Sequence, residues 1–405
     1  MNSKPSILFI NRVYPPMRGA TGRVLEYVAG RFVSAGWNVS VLVIGNANDV
    51  FDAKNGVRVN TVGIETLPKH SIIFRGLNTA LSIPKLFIRA IAIPRADVVV
   101  TMTDPPMLKI IGGILGYFKK SRTIHWSQDL YPEVAEVVGV LKPGGVIADT
   151  LRAISTFAIR CHDMVVVPGR CMEKRLGLRG LSTSRIRVIP NRGSERGIRS
   201  LPRFPNKFRK ILGFGDSYVV EYSGNMGLAH EFNTIIEAAE LLKSSGEKGI
   251  IFLFVGGGPR EASVKEAVCR KGLNNVHFLP AQPEDQLSEI LGTADLHLVT
   301  MMEGMSGLVV PSKIYGVMAA SRPCLFIGPE DSEAALEILG SRVGTVVRPG
   351  DVNALVCKIL EYRDAGVTFW KELKPVNAVV PTDDEVSLFV NMALKLCYEG
   401  NRNQT

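Results

Sequence analysis

The residues with the most chemistry in them run from Glu303 to Gly316, in the order Glu-Gly-Met-Ser-Gly-Leu-Val-Val-Pro-Ser-Lys-Ile-Tyr-Gly. A carboxylate, Glu303, opens a glycine loop that carries Ser306 and Gly307. Pro311-Ser312-Lys313 then stands where helical periodicity begins. Ser312 suits an N-cap, although Pro311 before it could mark the helix start instead. Lys313 puts a cation at the positive end of the helix dipole, an unfavourable place. A diphosphate lying between that amine and the helix N-terminus would remove the conflict, and Glu303 is suited to hydrogen-bond sugar hydroxyls. The plainer alternative makes Glu303 a solvated loop acid and Lys313 a surface residue.

Three more loops have the composition of anion cradles. Gly19 and Gly22 follow an apolar run and precede a helical pattern, so backbone amides there can come close to a ligand. Gly-Ala-Thr-Gly at 19–22 also fits a dinucleotide fold, but Pro15 and Pro16 intervene and no third glycine follows, so a nicotinamide cofactor fits badly. Gly224-Asn225-Met226-Gly227 ends a strand pattern, a position where doubly wound sheets bind phosphates; a plain turn is the alternative. Gly256-Gly257-Gly258 is weaker, since strand-to-helix turns use glycine for tight packing alone.

Parallel strands with helices on both faces would position these loops. Short β-branched runs alternate with helical patterns throughout: 7–11, 39–45, 57–62, 97–102, 123–127, 164–168 and 186–190, then 219–223, 250–256, 276–280, 296–300, 324–328 and 345–348. Two such series predict two doubly wound, Rossmann-like α/β domains, 1–190 and 211–384, joined by a Pro-, Gly- and Arg-rich linker at 191–210. A last helical pattern, 385–405, is expected to pack back on the first domain.

The 405 residues are 46% hydrophobic and 21% charged, a foldable composition, with a formal net charge of +10. That excess suits nucleic acid, an acidic membrane surface or a phosphorylated small molecule. No zinc finger or aromatic-basic pattern is present, so nucleic acid is not an expected partner. Ile72–Ile93 is too charged to span a bilayer, with Arg75, Lys85, Arg89 and an internal Pro84. Phe74, Leu77, Leu81 and Ile88 share one sector of it, so it reads either as an interfacial helix on anionic lipid or as an ordinary amphipathic helix. The six cysteines show no metal spacing and read as buried thiols of a reducing cytoplasm.

The loop 303–316, with the paired α/β halves, resembles the family-4 branch of retaining GT-B glycosyltransferases, and in particular bacterial enzymes that build O-antigen, colanic-acid and exopolysaccharide units on lipid carriers. Tyr14-Pro15-Pro16 through Gly22, Thr103-Asp104-Pro105-Pro106, Gln128-Asp129-Leu130-Tyr131-Pro132-Glu133, Val188-Ile189-Pro190-Asn191, 222–227 and 255–259 carry the rest of the likeness. The resemblance implies two Rossmann-like domains facing across a cleft. It implies a nucleotide-sugar donor, UDP-linked in the first instance and GDP-linked in the second, held by Gly19, Gly22, Gly224, Asn225, Gln282, Ser306, Gly307, Ser312 and Lys313. The base would lie near the backbone of Pro280, Ala281 and Gln282, and the transferred sugar on Glu303. A lipid-linked saccharide acceptor would meet Asp104 and Gln128, with Asp129 orienting or deprotonating its hydroxyl; a loop cap is the plain alternative for Asp129.

The chain departs from the family pattern at three places. Asn225 and His230 stand where relatives carry Arg and Lys, Gly316 replaces the second glutamate, and Gln128-Asp129 replaces His-Asp. His125, in a strand, reads as a packed core histidine. Lacking paired carboxylates for double displacement, the site suits a front-face transfer in which Lys313, amide dipoles and the departing phosphate do the work. No cofactor or metal is expected, because no Asp-x-Asp is present. The expected location is the cytoplasm, peripheral on the inner face of the plasma membrane. Two other readings stay open: a nucleotide-sugar 2-epimerase of the same shape, and a partner subunit that no longer catalyses.

Overall fold

The computed structural model describes residues 4–17, 19–45, 49–53, 55–63, 72–191, 197–372 and 383–402, with backbone alone for 72–81, 367–372, 383–384 and 400–402. The chain divides into two compact units, 1–194 with 381–405, and 195–380.

The first unit is built on an eight-stranded sheet: β1 (Ser6–Ile10), β2 (Asn38–Gly45), β3 (Val50–Asp52), β4 (Arg58–Gly63), β5 (Val98–Thr101), β6 (Arg122–Trp126), β7 (Met164–Val167) and β8 (Ile186–Val188), in the order β3-β4-β2-β1-β5-β6-β7-β8. All pairs are parallel except β3 on β4. The β-branched runs alternate between two cores, because successive side chains leave opposite faces. Ile7 and Phe9 join one, Leu8 and Ile10 the other. The helices are α1 (Ala20–Ser34), α2 (Ile72–Ala92), α3 (Leu108–Lys119), α4 (Glu133–Val137), α5 (Val146–Arg160) and α6 (Arg170–Leu178).

The second unit has six parallel strands, β9 (Tyr218–Ser223), β10 (Ile250–Val255), β11 (Val276–Leu279), β12 (Leu296–Thr300), β13 (Cys324–Ile327) and β14 (Gly344–Val347), ordered β11-β10-β9-β12-β13-β14. Its helices are α7 (Lys207–Ile211), α8 (Asn233–Ser244), α9 (Glu261–Arg270), α10 (Leu287–Leu291), α11 (Lys313–Ala319), α12 (Glu333–Ser341) and α13 (Val352–Glu372). The final helix, α14 (Asp383–Arg402), belongs to the first unit. Its Phe389 is fully buried edge-on to Phe32 at 5.6 Å and Trp126 at 5.2 Å, with Val386, Val390 and Ala393 in the same core. Burying such a ring contributes about 1.5–3 kcal/mol.

Several expectations need correction. Residues 197–210, expected as linker, lie folded on the second unit: Arg203 and the buried Arg209 both pair with Asp295, and Arg322 donates to the Leu201 carbonyl at 2.8 Å. Of the six thiols only Cys324 is buried, while Cys161, Cys269 and Cys357 are exposed. In the helix expected at 72–93, α2 runs through Pro84. It turns Leu86 and Ala90 into the core and leaves Ile88, of the expected apolar sector, at 68% exposure. The side chains of Phe74, Arg75, Leu77 and Leu81 lie outside the described residues. Among the described residues no helix is long and apolar enough to cross a membrane.

Candidate functional site

In the second unit three loops follow the carboxyl ends of neighbouring strands β9, β10 and β12, where doubly wound sheets bind ligands. The first two interlock through the backbone. Gly224 N–H donates to the Val255 carbonyl at 2.9 Å, Met226 N–H to Gly257 at 2.8 Å and Arg260 N–H to Met226 at 3.0 Å. A Cβ on Gly256 would overlap the Gly224 carbonyl, and one on Gly258 would lie 2.6 Å from Asn225 Oδ1. Gly256 and Gly258 are therefore required by close packing, the plainer of the two readings of that loop. Gly224, at φ +135, leaves room for Lys313: a Cβ there would stand 3.4 Å from its Nζ.

Lys313 is the unusual residue. Its stem is partly exposed, but its Nζ is enclosed, 3.7 Å from the centre of the Tyr222 ring, with no hydrogen-bond acceptor in reach. Burial pushes its pKa well below the ordinary lysine range, because an ammonium there has lost water and gained no counter-ion. Tyr222 is fixed beneath it by its hydroxyl, which donates to the Asn225 carbonyl at 2.8 Å. Asn225 itself is exposed. His230, whose Nδ1 lies 2.7 Å from the Thr300 carbonyl, is held down at about 3, chiefly by burial and then by the nearby Lys313. Arg260 adds a third basic group, its Nη1 donating to the His230 carbonyl at 2.7 Å. Sequence reasoning missed Arg260, which only the contact between the β9 and β10 loops reveals.

Around this cluster the loop after β12 is tied to the loop after β9 by Met302 N–H on the Ala229 carbonyl at 2.9 Å. Glu303 is exposed, Met305 is buried as an anchor, and Ser306 Oγ donates to the Asp331 carbonyl at 3.2 Å. Gly304 and Gly307 take positive φ, +81 and +69, which suits glycine at both turns. Ser312 does not cap: it has helical dihedrals and makes no cap bond, and α11 starts with three-residue turns onto Pro311 and Ser312. Gly316 is buried in that helix. Gln282 bends its amide back onto the Pro280 carbonyl at 2.7 Å.

In the first unit the loops after β1, β5 and β6 gather Arg12, Asp104, Gln128, Asp129 and Tyr131. Arg12 Nε donates to Asp104 at 2.7 Å. Thr103 Oγ1 receives the N–H groups of Gln128 at 2.7 Å and Asp129 at 3.4 Å, which fixes the turn that presents Asp129. Burial, and then the charge of Asp104, lifts the Asp129 carboxyl to about 7, so it is poised to exchange a proton near neutrality. Gln128 pairs its amide with that of Asn191. The Tyr131 carbonyl receives Ser155 Oγ at 2.8 Å and Lys109 Nζ at 3.4 Å. Buried Lys109, lowered to about 7 chiefly by its loss of water, was also missed, since a lysine in the first turn of a helical pattern gives no sign that it points inward.

Gly19 and Gly22 have a packing neighbour in their own loop, and His125 lies in the core as expected. Gly19 and Gly22 make room for Val13: a Cβ on Gly19 would fall 2.8 Å from Val13 Cγ2, and one on Gly22 3.2 Å from the Val13 carbonyl oxygen. Packing is thus a sufficient reason for both glycines. His125 is fully buried, 3.0 Å from the Thr101 carbonyl and stacked on His162 at 5.5 Å.

Two Rossmann-like parallel-sheet units, each with its ligand loops at the carboxyl strand ends, define the GT-B fold. Residues 19–192 match the family model of the glycosyl transferase 4-like domain, and residues 204–364 that of the glycosyl transferases group 1. By these two matches the chain belongs to the GT-B glycosyltransferase family, a group 1 domain preceded by a 4-like domain. It is 30% identical over 261 residues to the probable glycosyltransferase WbjE of Pseudomonas aeruginosa, covering 64% of each chain. It is 26% identical over 273 residues to WcaI of Escherichia coli K12, a protein named for colanic acid biosynthesis, covering 65% of this chain and 64% of that one. The chain thus spans just under two thirds of the curated relatives it matches. Among solved structures, HepE of Anabaena in complex with UDP and glucose superimposes with a TM-score of 0.68 at 15% identity, over 96% of this chain and 99% of that one.

Proposed function

We propose that the chain moves a sugar from a nucleoside diphosphate, UDP before GDP, to a lipid-linked saccharide during assembly of a bacterial surface polysaccharide, with retention at the anomeric carbon. The observation that carries this is the enclosed, unpaired Lys313 amine among Gly224, Tyr222 and His230, with Arg260 reaching in from the loop after β10 and, among the described residues, no acid paired to Lys313 or Arg260. Burial holds the Lys313 amine and the His230 ring towards their uncharged forms, and an arriving diphosphate supplies the counter-charge that the amine lacks. HepE binds UDP, and WcaI is named for polysaccharide biosynthesis; both support the reading.

In the proposed step the bond from the anomeric carbon to the diphosphate oxygen breaks while a bond to the acceptor oxygen forms on the same face. The acceptor proton passes to the departing phosphate. Lys313, Ser312 and the Gly224 loop stabilise the growing negative charge, Glu303 holds the transferred sugar, and Asp129 orients the acceptor hydroxyl beside Asp104 and Gln128. The donor needs neither metal nor cofactor in this scheme. The protein works from the cytoplasm, resting on the anionic inner face of the plasma membrane.

The test is a panel of UDP- and GDP-sugars screened for thermal stabilisation of the purified chain, followed by transfer to an undecaprenyl-diphosphate saccharide. One donor should stabilise wild type and support transfer, which Glu303→Ala and Lys313→Ala should lose. Wild-type turnover in both variants would overturn the site. Conversion of donor alone into its 2-epimer would show epimerisation instead.

A further inference from the structure

The outer faces of α3 and α5 are wrong for a surface in contact with water. α5 turns Ala148, Ser155 and Ala158 inward and sends Ile147, Ile154 and Phe157 outward, at 68%, 42% and 71% exposure. These three recur at helical spacing on one side of the axis. α3 lies beside α5, with Gly113 facing Cys161, and adds Ile114, Tyr117 and Phe118, of which Tyr117 is 83% exposed. Beneath the pair the interior is mixed: Leu108, Ile111, Leu115 and Ile159 are buried there, together with Lys109, Thr123, His125, Ser155 and His162. Large apolar groups outside as well as inside depart from the usual order of a soluble helix layer, which keeps its apolar side chains on the inner face.

The charges around this face are one-sided. Arg95 and Lys120 are exposed next to the end of α3, with Lys119 beside them, and Lys142 is exposed ahead of α5. No Asp or Glu occurs between Pro105 and Arg122. The only acid between Lys142 and Ile159 is Asp149, which is paired with Arg152 at 2.6 Å. A second copy of the chain docked here would bring like charges together, whereas an anionic bilayer takes the apolar side chains into its interface and meets the basic rim with phosphate.

We propose that the α3–α5 face is the surface by which this protein rests on anionic lipid, with Tyr117, Phe118, Ile154 and Phe157 entering the headgroup boundary. This deepens the membrane association proposed above and moves its centre from α2 to α3 and α5.

The test is co-sedimentation of the full chain with vesicles of phosphatidylcholine alone or with 30 mol% phosphatidylglycerol, without donor or acceptor. The proposal expects binding to the anionic vesicles that weakens with salt. Tyr117→Ser with Phe157→Ser should lower the partition at least tenfold, and Lys120→Asn with Lys142→Gln severalfold. Leu339→Ser, at an apolar site on α12 that is 50% exposed, should leave it unchanged; melting curves establish that each variant is folded. If wild type ignores anionic vesicles, membrane association itself fails. If wild type binds and the Tyr117/Phe157 variant binds equally, the membrane reading stands and this surface is wrong. A dimer in solution that this variant dissolves would assign the face to a second copy instead.

Discussion

Replacing Lys313 by Met should make the protein more stable at neutral pH while weakening its hold on UDP. The Lys313 amine sits over Tyr222 with no acceptor, and its pKa lies well below the ordinary lysine range. Each pKa unit of that depression costs about 1.4 kcal/mol of stability wherever the unfolded chain is protonated and the folded site is not. Met keeps the length of the stem and removes the buried nitrogen, so the variant escapes that cost. For a unit of this size that is roughly 2–4 °C per kcal/mol in Tm.

The pH dependence gives a sharper check. Between the folded and unfolded pKa of Lys313 the unfolded chain binds the extra proton, so wild-type stability rises with pH in that window and levels off near 10.5. Met carries no proton and lacks this slope. Urea unfolding at pH 7 and pH 9 should therefore show the variant's advantage shrinking by up to about 2.7 kcal/mol between the two. A variant less stable than wild type at pH 7, or an advantage independent of pH, would mean that the amine is paired or hydrated, and the reasoning would fall.

Three other changes follow from single contacts. Asp104→Asn removes the charge that helps to lift Asp129, so the rising limb of the kcat/KM against pH profile should move down by about 0.5–1 unit; an unmoved limb would separate the two carboxyls. Asp295→Ala strands the buried Arg209 and should cost about 3–5 kcal/mol in urea unfolding, far more than an exposed change such as Glu266→Ala. Gly256→Ala drives a methyl into the Gly224 carbonyl at a backbone φ of +120, so it should lower Tm by several degrees and weaken UDP binding.

Much of the architecture was legible because parallel strands covered on both faces read as unbroken β-branched runs. All thirteen runs form strands, each within about two residues of its expected ends. Val50–Asp52 was missed: it is three residues long, exposed and antiparallel, an edge too short to show a pattern.

The loops of interest were legible as motifs, and their physical state was not. Nothing in Pro-Ser-Lys says that the amine will be enclosed by Tyr222, which lies in another strand some 90 residues earlier. The lifted carboxyl of Asp129 depends on Asp104 in the neighbouring loop, a proximity set by the β5–β6 pairing. Glycine proved ambiguous for the same reason. Gly19, Gly22, Gly256 and Gly258 each have a packing neighbour that accounts for them, whereas Gly224 faces the one amine that an anion would need.

The central claim is that Lys313 receives the diphosphate of a nucleotide sugar. Its charge is suppressed in the free protein and should return when an anion arrives, so binding should draw a proton from solution. Calorimetric titration of UDP at pH 8 in two buffers of different ionisation enthalpy measures that proton. The account predicts uptake approaching one proton per UDP for wild type and none for Lys313→Met, which should also bind more weakly. Tight UDP binding with no proton uptake, or equal uptake by the Met variant, would contradict it.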